Sequence, residues 1–162
     1  MSYIDIIESE ILDSGEEPAF AGAFDDQMIG EFENALGLEF PLSYKLFLKK
    51  YGALSFAGDT YYGITRGGVD GASIPNVVFA TKSARANGDA DEAMIVIKAS
   101  GYGSIYSIDT SNIGVTGEPV IIETELSFKR TKRKNIIYQN FEELYVECIR
   151  QAIRELANGD GN

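Results

Sequence analysis

The side chains best suited to chemistry in this sequence are carboxylates. Asp89, Asp91 and Glu92 form the densest acidic cluster outside the N-terminal region, and such oxygen ligands suit calcium or magnesium. A calcium loop needs further oxygens at fixed positions and a closing glutamate, and these are missing. A two-acid-plus-lysine nuclease site would place its groups on adjoining strand positions, a spacing that Glu123, Glu125 and Lys129 do not meet. Turn and helix-cap roles therefore fit Asp89 and Asp91 better. Gly101-Tyr102-Gly103 lies between two strand candidates rather than between a strand and a helix, so it reads as a hairpin turn and not a phosphate loop. The run Arg66-Gly67-Gly68-Val69-Asp70-Gly71 lacks the lysine and hydroxyl of a nucleotide loop and reads as a mobile loop at a contact surface.

The chain has no histidine and one cysteine, Cys148. Imidazole-dependent serine and cysteine triads are excluded, and so are the usual structural zinc sites within one chain. No catalytic residue, metal ligand set or cofactor is expected, and the protein is expected not to be an enzyme. A lone cysteine forms no internal disulfide, and the N-terminus carries acids where a signal peptide needs a basic and then an apolar stretch. The cytoplasm is the expected compartment, with no membrane partner.

Charge points to binding. The 162 residues hold 25 acids against 14 bases, a net −11, and the first cation is Lys45. Such a field repels nucleic acid and speeds encounter with a basic partner. Five cations, Lys129, Arg130, Lys132, Arg133 and Lys134, form a basic turn that is expected either to be solvated or to pair with the acidic helices of this chain or of a second copy, a homodimer, rather than with nucleic acid.

These groups need elements to hold them. Ile4, Ile7 and Ile11 recur at helical spacing after the Ser2–Asp5 capping signal, until Gly15. Asp25-Asp26 starts a second helix with Met28 or Ile29, Phe32 and Leu36 inward, ended by Gly37. Pro41 opens a third, with Tyr44, Phe47, Leu48 and Tyr51 inward and Gly52 at its end. Short strands follow at Leu54–Phe56 and Tyr61–Ile64, then a helix over Val77–Asn87. Strands near Met94–Ile97, Ser104–Ile108 and Pro119–Glu123 suggest an antiparallel meander. A closing helix spans Asn140–Leu156, with Phe141, Leu144, Tyr145, Cys148, Ala152, Ile153 and Leu156 on one face. The predicted class is α+β, a mostly antiparallel mixed sheet with helices packed against it. Residues 1–157 form one domain, and 158–162 a tail expected to fray.

The run from Ile29 to Gly63 resembles the SUKH superfamily, which holds immunity proteins of bacterial polymorphic toxin systems and fungal regulators of cell-wall synthesis. The resemblance rests on a helix ending Leu36-Gly37, on Phe40-Pro41 leading Ser43-Tyr44-Lys45-Leu46-Phe47-Leu48, on Tyr51-Gly52, and on Gly58 with Tyr62-Gly63-Ile64. The later order of helix, strands and closing helix is also similar. The resemblance implies an α+β fold, largely structural motif residues, and neutralisation of a cognate toxin by direct binding; the acidic charge of this chain adds the expectation that the toxin is basic, such as a nuclease. A regulatory protein-binding scaffold is the alternative. The expected partner-binding residues are Glu16, Glu17, Asp25 and Asp26 on the acidic side, with Asp59, Tyr61, Tyr62 and Asp70 near the glycine loops.

Overall fold

The computed structural model describes residues 2–126 and 128–159. The elements run α1 (Tyr3–Ser14), β1 (Ala19–Phe20), α2 (Asp26–Leu36), α3 (Leu42–Tyr51), β2 (Leu54–Phe56), β3 (Asp59–Tyr61), α4 (Val77–Asn87), β4 (Met94–Ala99), β5 (Ile105–Ile113), β6 (Pro119–Thr124), α5 (Phe128–Thr131), β7 (Asn135–Tyr138) and α6 (Phe141–Gly159). A 3-10 turn, Gly68–Asp70, precedes α4. The strands form two antiparallel sheets, β1-β2-β3 and β4-β5-β6-β7. Among the described residues, parallel pairing is confined to an isolated bridge between Gly63 and Asn76. The α+β class is as the sequence indicated.

Helix boundaries follow local chemistry. The Ser2 hydroxyl accepts from the Asp5 amide, and the Asp25 carboxylate from the Met28 amide, each satisfying a donor that the first turn leaves without a partner. Gly15, Gly37 and Gly88 end α1, α2 and α4 in the left-handed conformation that a side chain disfavours. Pro41 stands at the N-cap of α3, one residue outside its expected place. The Lys129–Lys134 run is not a plain turn: its first residues belong to the short helix α5, and it leads into β7. Helix α6 continues to Gly159, so Asn158 and Gly159 are helical, and the rest of the predicted tail, 160–162, lies outside the described residues.

The inward stripes of α1, α3 and α6 meet in an aromatic cluster. The Phe47 ring lies 5.3 Å from Phe141 and 5.7 Å from Tyr145, and Tyr61 packs edge-on to Tyr145 at 5.5 Å. Such pairs contribute roughly 0.5–1.5 kcal/mol each beyond their buried area. The four-stranded sheet adds buried side chains on both faces, with Ile95, Ile108 and Ile121 sharing one face and Val96, Val120 and Ile122 the other.

The two sheets are joined at residues 62–64. The Tyr62 amide donates to the Ile97 carbonyl at 2.8 Å, and the Tyr62 carbonyl accepts from the Tyr44 hydroxyl at 2.7 Å. The Gly63 amide donates to the Pro75 carbonyl, its carbonyl accepts from the Val77 amide, and the Ile64 amide donates to the Gly52 carbonyl. A Cβ at Gly63 would overlap the Gly52 carbonyl oxygen. Only glycine permits this approach of two backbones.

Gly63→Ala should therefore lower unfolding free energy by at least about 3 kcal/mol. Gly30→Ala, in the interior of α2 with open space around its Cβ position, should raise it by roughly 0.5–1 kcal/mol. Urea unfolding measures both. A loss under about 1 kcal/mol at Gly63 would show that the backbones are not held in contact.

Candidate functional site

The small sheet turns one face outward. In β2, Leu54 and Phe56 point into the core and Ser55 points out; across the ladder Tyr61 opposes Leu54 and Thr60 opposes Ser55. The Ser55 and Thr60 hydroxyls meet on the outer face at 3.0 Å. Four hollows cross this face and share walls. An apolar groove of about 570 Å³ lies between α1, β1 and the end of α3, with Leu12 and Phe20 on its rim. Phe20 also walls a smaller hollow, which shares Ser55 and Pro75 with a cleft of about 380 Å³ over β3. That cleft shares Asp59 and Ser100 with a polar hollow of about 690 Å³ against α6. The result is one continuous strip. Four exposed apolar or aromatic side chains stand along it: Leu12 (72% exposed), Phe20 (58%), Ile74 (56%) and Tyr102 (96%).

Under the strip sits a buried cation. Lys98 is 5% exposed, and its Nζ donates to Asp59 Oδ1 at 3.2 Å and to the Ala99 carbonyl at 3.4 Å. The same ammonium lies 5.7 Å from the Tyr61 ring centroid and 5.5 Å from that of Tyr106. A carboxylate, a carbonyl and two ring faces offset much of the cost of burying it. Beside it, the Tyr138 hydroxyl is 4.0 Å from Cys148 Sγ. Burial pushes the Cys148 thiol upward more than the neighbouring Lys98 pulls it down, so the sulfur stays protonated at neutral pH. Burial also raises the Tyr62 and Tyr138 phenols. The cluster's charged and polar groups are turned toward one another, so the arrangement lends itself to contact.

The structure gathers only part of the set expected from sequence. Glu17 lines the apolar groove, while Asp59 and Tyr62 line the cleft over β3, although Tyr62 is buried at 7% exposure and offers a partner little surface. Asp26 is held by Lys49 at 2.8 Å, and Lys49 itself walls the groove. This Lys49 hydrogen bond and charge draw the Asp26 carboxyl below its ordinary range. Asp25 is exposed but committed to capping α2, and Glu16 is exposed just past α1. Asp70 is exposed on the 3-10 turn, away from the strip's walls. Tyr61 requires a correction. It is 1% exposed because strand alternation turns its ring into the aromatic cluster, so it offers no surface to a partner.

Sequence reasoning missed Leu12, Phe20 and Ile74. Leu12 breaks the inward stripe of α1, the one signal that could have marked it. In the basic run Lys129, Arg130, Lys132 and Arg133 are exposed, in keeping with a solvated turn, and only Lys134 departs from expectation: it pairs not with the acidic helices but with Asp91 at 2.9 Å and Asp109 at 3.2 Å. Cys148, expected in the core, is half-buried and lines the polar hollow. No group of three or more acidic or thiol ligands able to hold a metal occurs among the described residues, and no described helix is long and apolar enough to cross a membrane.

A family model described as SUKH_6, SMI1-KNR4 cell-wall, matches residues 26–144, from the start of α2 into α6. No curated protein matches the chain.

Asp59→Ala should destabilise the protein by about 1–3 kcal/mol, because it strips the counter-charge from a buried ammonium while Asp59 itself is partly solvated. Lys98→Met in the same chain should recover part of that loss. A double-mutant cycle in urea measures the coupling, and strictly additive losses would show that the pair does not interact.

Proposed function

The chain belongs to the SMI1-KNR4 (SUKH) family, and from that premise we propose that it is an immunity protein: a cytoplasmic inhibitor that neutralises a cognate, basic toxin by covering it. The observation that carries this reading is the strip of hollows across the small sheet, with Leu12, Phe20, Ile74 and Tyr102 exposed along it. Exposed aromatic and aliphatic side chains beside concave walls supply anchors that become dry on docking. Glu16 and Glu17 sit at the groove end of the strip, within a chain of net charge −11. That charge raises the rate of encounter with a cationic toxin, a nuclease above all, while the apolar anchors slow its release. On this reading the protein performs no chemical step. Lys98, Asp59 and Tyr61 form the floor under the docking face rather than a catalytic set.

A regulatory scaffold is the second reading, favoured by the cell-wall description of the family. The two readings differ in what the partner does on its own.

The test starts with capture of the partner from native cells, identified by mass spectrometry at low and high salt. The captured protein should arrest growth when expressed alone and be tolerated when this chain is co-expressed. A harmless partner would select the scaffold reading. With the pair purified, raising salt should weaken binding chiefly through slower association. The double variant Phe20→Ser, Ile74→Ser should bind at least about ten-fold more weakly, with its urea midpoint little changed. Full affinity in that variant would remove the strip from the reading.

A further inference from the structure

At the far side of the large sheet lies a surface of opposite character. Strand β7 pairs with β6 on one side only and ends the order β4-β5-β6-β7. Among the described residues, no backbone group outside the sheet bonds to it. The register with β6 steps from Ile122↔Ile136 to Ile121↔Tyr138, which leaves Ile137 as the extra residue of a bulge. A bulge leaves that residue out of the ladder. Asn135 and Ile136 are exposed.

Immediately before this strand come Lys129, Arg130, Lys132 and Arg133, all exposed. Elsewhere Lys45, Lys49, Lys50, Lys98, Lys134 and Arg150 each hold a carboxylate. These four cations make no such pair among the described residues; Arg66, Lys82, Arg85 and Arg154 make none either, but only these four lie together within five residues of sequence. The acids around them are mostly occupied. Asp91 and Asp109 are taken by Lys134, and Glu123 accepts from the Ser104 hydroxyl, which leaves Glu125, exposed, and Asp89, next to the Gly88 that Lys129 packs against, without a salt bridge among the described residues. The cluster is a local reversal in an otherwise acidic molecule.

We propose that the outer edge of β7 and the Lys129–Arg133 cluster together form a second docking surface, which takes an extended acidic polypeptide segment as an added strand. The free edge selects a polypeptide, because its unpaired amides and carbonyls match another backbone. The four cations select an acidic one, and they repel the same edge of a second copy. A long polyanion fits poorly: a nucleic acid duplex extends well past the Debye length of about 8 Å into the field of the remaining acids. A short acidic strand stays within it. Tyr138 at the end of β7 also walls the polar hollow, so the two surfaces meet there, but the outer edge and the cations lie outside the strip, and the proposal stands independently of the toxin reading.

The probe is a short synthetic peptide of alternating glutamate and valine, added to the full chain and followed by amide NMR and fluorescence anisotropy. The amides of Ile136, Ile137 and Tyr138 should shift on addition. Affinity should fall at least about ten-fold when Lys129, Arg130, Lys132 and Arg133 are all changed to glutamate, with circular dichroism unchanged. It should fall as far when alternate peptide amides are N-methylated, which leaves the charge intact. Any of four results overturns the proposal: no shift along β7, equal binding of the N-methylated peptide, equal binding of a lysine–valine peptide, or displacement by a DNA duplex or anionic vesicles at lower concentration than unlabelled peptide.

Discussion

The structure depends on the burial of three consecutive backbone units, Tyr62 to Ile64, and on where their hydrogen bonds go. Unpaired amides and carbonyls in an interior cost about 1–3 kcal/mol each. Here the groups reach the large sheet through Ile97, α3 through Tyr44, the entry of α4 through Pro75 and Val77, and the end of α3 through Gly52. One short segment therefore fixes both sheets and two helices against one another. The glycines at 52 and 63 are what allow the approach. The strip lies directly over this junction, so its hollows inherit the junction's rigidity and present a preformed surface.

Electrostatics follow a similar division between groups that are committed and groups left free. Helix α3 carries the first cations of the sequence, and they turn back on the acidic half: Lys45 to Glu33, Lys49 to Asp26, Lys50 to Glu8. Arg150 of α6 clasps Glu10 of α1 through two nitrogens at 3.0 Å each. Apart from the more buried Lys45–Glu33, these pairs are substantially exposed and contribute little stability. Their effect is to decide which acids remain available, and Glu16 and Glu17 are among those that do.

Helices were legible because their signals are local. Caps, stripes and terminal glycines lie within a few residues of one another, and α1 to α4 fall close to where these marks set them. Strands β1 and β7 were not legible. Ala19-Phe20 is too short to alternate, and Asn135–Tyr138 follows a basic run that masks its apolar pair. The candidate site was legible in part for the same reason. Glu17, Asp59 and Tyr62 could be proposed from charge and turn context, but the inward turn of Tyr61 depends on its pairing with Leu54. The tie between Asp59 and Lys98 joins residues far apart in sequence, and no composition or spacing records it.

The position of Cys148 gives the molecule a built-in gauge. It is the single thiol in the chain, and it lines the hollow at the α6 end of the strip beside Tyr138. A sulfur kept protonated and half-covered reacts slowly with alkylating reagents. The rate of that one reaction consequently records how open the hollow stands, with no label, tag or second cysteine to confuse the reading.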